Sequence, residues 1–123
     1  MSKISLNTLV FDMDDKPVMN GDKELRMYDI LKIAACNDTE EDARSSDPIG
    51  VKQKNFEIFL GVREAGPEGE VELTSEQITH IKPRVAKTFT TLITAQAVAY
   101  LEGKDPYGGK RKPNVSTLPG TSS

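Results

Sequence analysis

The chain has no tryptophan, one cysteine and one histidine, and aromatic residues make up only 6% of it. A lone Cys36 excludes an internal disulfide and any zinc site of paired cysteines, and a reducing compartment fits it best. Near the end of a helix it lacks the positive field that activates a thiol, so a buried structural thiol is expected. A lone His80 excludes a histidine metal cluster and reads as a surface histidine; a Ser-His-Asp triad would depend on it alone. No run approaches the about 20 apolar residues that cross a bilayer, and MSKISLNTLV lacks the charged-then-apolar order of a secretory leader. The expectation is a cytoplasmic protein with no membrane partner and no cofactor. A chain of 123 residues without Trp must build one modest core from Leu, Ile, Val, Met, Ala and a few Phe.

Charge is unevenly spread. Through Gly103 there are 12 Lys and Arg against 18 Asp and Glu, a charge of −6; beyond it 4 basic residues and 1 acidic give +3. An acidic body opposes general nucleic-acid binding, which needs a basic face to displace counterions, and leaves only weak contact through Lys110-Arg111-Lys112 in the tail.

The opening ISLNTLVFDMDDKPVMN places β-branched and aromatic residues on both sides of Asp14-Asp15-Lys16-Pro17, which is turn chemistry, and predicts an N-terminal β-hairpin with its phase slipping near Asn7-Thr8. Asp22 is placed to cap a helix from Glu24 to about Cys36. The acid-rich stretch 37–50 has no apolar period and reads as a solvated loop. A second helix from Val51 buries Val51, Phe56, Phe59, Leu60 and Val62 before GPEG turns the chain. Thr74 and Gln77 have the spacing of a capping box. From there a helical period runs to Gly103, with Pro83 expected to kink it or split it into helices over 75–82 and 84–102.

Two resemblances bear on function. LVFDMDD, residues 9–15, resembles the first motif of the haloacid dehalogenase-like hydrolases, in which a strand delivers two Asp residues one position apart. That likeness would imply a metal-dependent phosphatase with Asp12 as nucleophile and Asp14 as acid/base. Asp15 and Lys16 depart from the motif, Gly21-Asp22 lies too near to be a second parallel strand, and no alternating strands follow, so the likeness is local and misleading. An EF-hand reading fails as well, because Lys16 and Pro17 stand where a ligand and a glycine are needed.

The second lies over residues 51–103. Lys52 to Glu57 (KQKNFE), Val71 to Thr74 (VELT), Glu76 to Lys82 (EQITHIK) and Thr91 to Gln96 followed by Leu101-Glu102 resemble, in order and spacing, a group of small tailed-bacteriophage proteins. The group supplies no catalytic residues; what it implies is a viral origin.

The sequence thus predicts an α+β, mostly helical fold: a β-hairpin on three or four helices in a single domain over 1–103, and a disordered basic tail over 104–123. The expected role is non-enzymatic: a phage accessory protein that binds a host or phage protein, either inhibiting or redirecting a host enzyme or serving virion assembly. Candidate contact residues are Glu40, Glu41 and Asp42 of the acidic loop, which can mimic a phosphate backbone, and the apolar stripe Phe89, Leu92, Ile93 and Tyr100. The oligomeric state is left open.

Overall fold

Met27–Cys36 forms helix α1, and its Met27, Ile30, Leu31, Ala34 and Ala35 are buried at three- and four-residue steps against later elements. The computed structural model describes residues 2–107, apart from the side chains of Ser2 and Glu41. The other elements are strands β1 (Ser2–Ser5), β2 (Met19–Asn20), β3 (Lys23–Glu24) and β4 (Glu70–Leu73), and helices α2 (Glu40–Arg44), α3 (Pro48–Ala65), α4 (Ser75–Thr88) and α5 (Thr91–Leu101). The fold is α+β and mostly helical. Helices α3 and α4 pack on α1, α5 packs on α4, and one apolar core runs through them. Among the described residues no helix is long and apolar enough to cross a membrane.

The N-terminal hairpin turn forms as its residues predict. The Asp12 N–H donates to the Lys16 carbonyl at 2.8 Å, Asp15 takes φ 60°, and the Val18 N–H returns to the Val10 carbonyl at 3.0 Å. A second short turn at Gly21 (φ 71°) brings β3 back beside β2. Asp22 therefore sits in a turn and does not cap α1, whose N-cap is Arg26.

The first residues do not belong to that hairpin. β1 pairs antiparallel with the distant β4, Ile4 opposite Val71 and Ser2 opposite Leu73. Ile4, Val71 and Leu73 line the buried face, while Lys3 and Glu72 face each other on the outer one. The phase slip at Asn7-Thr8 is the point where the chain leaves one sheet for the other. Before β4, Gly69 passes so close to α3 that a Cβ there would lie 2.1 Å from the Ala65 carbonyl oxygen, which only glycine permits.

Two helices differ from expectation. α3 starts three residues earlier than predicted, because Asp47 caps it through the Gly50 N–H at 3.0 Å and Pro48 takes the first turn. Its buried line is Asn55, Ile58 and Val62, so Phe56 points outward. α4 runs unbroken through Pro83. The proline is exposed, as is Thr79, whose carbonyl loses its partner and can turn to water instead. The break comes at Phe89 and Thr90, the C-cap of α4 and the N-cap of α5, both in extended backbone. α5 then ends as the sequence predicts: Gly103 adopts φ 74° and the Lys104 N–H reaches the Ala99 carbonyl at 2.8 Å. Most of the expected tail, 108–123 with Lys110-Arg111-Lys112, lies outside the described residues.

Candidate functional site

The acidic stretch is not a loop. Thr39 caps α2 with its hydroxyl accepting from the Asp42 N–H at 3.2 Å, while the Asp42 carboxylate accepts from the Thr39 N–H at 3.0 Å. This turn aims Asp42 inward, where it is 8% exposed and meets Arg84 of α4, itself 4% exposed, at 2.8 Å. The same guanidinium donates to the carbonyls of Ala34 (3.2 Å) and Asn37 at the end of α1. A cation there satisfies the Asn37 carbonyl, shares that of Ala34 with the capping Asn37 N–H, and sits favourably in the field of the helix end. Burial alone would raise the Asp42 pKa, but the Thr39 N–H and the hydrogen bond and charge of Arg84 hold it below the ordinary carboxylate value. Asp42, expected in an exposed acidic loop, is thus engaged inside the fold. Glu40 is exposed beside Arg44, and the side chain of Glu41 lies outside the described ones.

His80 leans over the same region. Its Nε2 donates to Oδ1 of Asn55 at 2.6 Å, since an amide oxygen can only accept, and Asn55 is buried on α3. Partial burial lowers the His80 pKa, helped by the charges of Arg84 and Lys54 and opposed by Asp42 and Glu76. The histidine joins α4 to α3, where a plain surface residue was expected. Cys36 is exposed, at the last residue of α1 beside Lys52 and Phe56.

The VFDMDD segment is a turn built by its aspartates. Asp12 Oδ1 accepts from the Asp14 N–H at 2.8 Å and the Lys16 N–H at 3.0 Å, which closes the loop. Among the described residues no three His, Cys, Asp or Glu side chains gather where they could hold a metal.

The stripe on α5 divides. Phe89, Ile93 and Tyr100 are half-buried against the core, and Leu92 is exposed. Gln96, on the same helix, points inward and acts as a strand edge: the Phe11 N–H donates to its Oε1 at 2.9 Å and its Nε2 donates to the Phe11 carbonyl at 2.8 Å.

The most exposed apolar helix surface is elsewhere. On α3, Ile49 is 71% and Phe56 57% exposed, and with Lys52, Gln53 and Glu57 they line one shallow depression. Sequence reasoning missed this face because it placed Phe56 in the core. The spacing of Asn55, Ile58 and Val62, with Gly61 beside Val71, was the available sign that the helix is rotated. Arg84 and Asn55 were missed too, although Arg84 falls on the line Ile78, Ile81, Val85. No protein family, curated protein or solved structure matches this chain.

Proposed function

We propose that this is a bacteriophage accessory protein that works by binding another protein and not by catalysis. The observation that carries the reading is the outward face of α3, where Ile49 and Phe56 stand in water one seven-residue repeat apart on a helix whose opposite face is packed. Single exposed apolar residues are ordinary, but an aligned pair above a common depression is a ready contact surface. The polar groups best suited to chemistry support the same reading: Asp12 closes a turn, Asp42 holds Arg84, and His80 holds Asn55. The viral origin rests on the resemblance of residues 51–103.

Within this reading the protein either occupies a host enzyme or joins virion components. Capture of the tagged chain from infected cells, run beside purified particles, separates the two. A host enzyme retained by the wild type and lost with Phe56→Glu supports takeover; presence in particles supports assembly. Capture that survives Phe56→Glu but is lost on reversing the charge of Glu40 would move the contact surface to α2.

A further inference from the structure

This inference rests on reading the outward face of α3 as a binding surface, and it names the occupant. We propose that a second copy of this chain covers that face in a parallel, in-register pair of α3 helices. Ile49, Gln53, Phe56 and Leu60 recur at alternating four- and three-residue steps, the d and a positions of a two-stranded seam. Asn55, Ile58 and Val62 fall opposite, on the side that packs into the protein, so Ile49, Gln53 and Phe56 are exposed and Leu60, at the end of the seam, is partly so.

The flanking charges choose the partner. Lys52 occupies the g position and Glu57 the next e position, and both are exposed. In a parallel pair each g meets the following e of the other helix, so the two-fold axis creates two Lys52–Glu57 ion pairs. The antiparallel pair that matches the seam, with each Ile49 against the other Leu60, would set Lys52 near Phe59 and Glu57 near Gly50, so the Lys52–Glu57 ion pairs form only in the parallel arrangement. Lys52 already bonds Asp38 at 3.2 Å, but its ammonium has further donors to offer. Gln53 stands at an a position, where an amide can donate to and accept from its own copy and so fix the register. Arg63, at the next d position, would meet its own like charge and end the seam. A contact of about three helical turns falls short of a standard interface and gives a weak, concentration-dependent dimer.

The test uses the full chain. Sedimentation from micromolar to millimolar concentration should show reversible dimerisation. Lys52→Glu and Glu57→Lys should each weaken it several-fold, and the double swap should restore it. In a Cys36→Ser background, Phe56→Cys should give a covalent dimer with a mild oxidant, because the in-register seam brings residue 56 beside its copy, whereas Lys54→Cys should not. A chain that stays monomeric at millimolar concentration, or a dimer indifferent to both charge reversals, overturns the proposal. If the monomer still loses its captured protein with Phe56→Glu, the α3 face remains a surface for a different protein and only self-pairing falls; if capture is also unchanged, the surface itself falls.

Discussion

Arg84 and Asp42 face each other at 2.8 Å in the interior, and through that one guanidinium α4 grips both α2 and the end of α1. Removing one member leaves the other charge buried without its counterpart, which costs far more than the pair itself is worth. Asp42→Ala or Arg84→Ala should lower stability by about 3 kcal/mol in urea unfolding. Asp42→Leu combined with Arg84→Met should recover part of that loss, since it removes the unpaired charge but not the cost of the Thr39 N–H and the Asn37 carbonyl that lose their partners. Equal losses in the single and double variants would remove the ion pair as the cause.

The same pair sets an acid limit. Asp42 binds a proton less readily folded than unfolded, so its contribution is complete above the ordinary carboxylate value of about 4 and disappears as pH falls through the lower native one. Stability measured against pH should therefore fall below about pH 4 in the wild type, with a shallower fall in the Leu/Met double variant.

His80 acts at higher pH. Its folded pKa lies below the ordinary value, so the unfolded chain takes up the proton first and stability declines as pH drops below about 6.5, levelling off beneath the native value. Titration of the ring by NMR should give a midpoint below that of a free histidine. His80→Gln should flatten the stability curve between neutral pH and pH 5; an unchanged slope would assign it to other groups.

Gln96 gives Phe11 strand-like hydrogen bonds on the side away from its bridge to Pro17. Gln96→Leu keeps the volume but removes its hydrogen bonds with the Phe11 N–H and carbonyl, and should cost about 2 kcal/mol. Hydrogen exchange should show the Phe11 amide losing protection more than the amides of β1.

Thr74 and Gln77 cap α4 reciprocally, at 3.1 and 2.9 Å. Thr74→Ala should cost about 1 kcal/mol in thermal unfolding, and Thr74→Ser close to nothing.

Local chemistry was legible in the sequence where neighbours in the chain decide the outcome. The Asp-rich turn, the Thr74–Gln77 cap and the Gly103 terminator all formed where their residues placed them. The helix does not split at Pro83 because the cost of a proline depends on whether the orphaned carbonyl can reach water, which here it can. Asp42 misled because a run of acids looks solvated until a partner arrives from another helix, and Arg84 lies far along the chain. Phe56 misled by size: Asn55 and Gly61 fixed the rotation of α3 through fit against α4 and β4, and fit is a tertiary property. For the contact surface the relevant residues were visible as a helix, but not which side of it faced out.

The pairing of β1 with β4 also orders events in time. While the chain is being made, the first strand has no partner until residue 73 has left the ribosome, by which point α1, α2 and α3 are already outside. Those helices can condense early through near contacts, whereas closing the sheet must await the long loop; it joins the oldest residues to the middle of the chain, and α4 and α5 emerge only after that strand to cover the core.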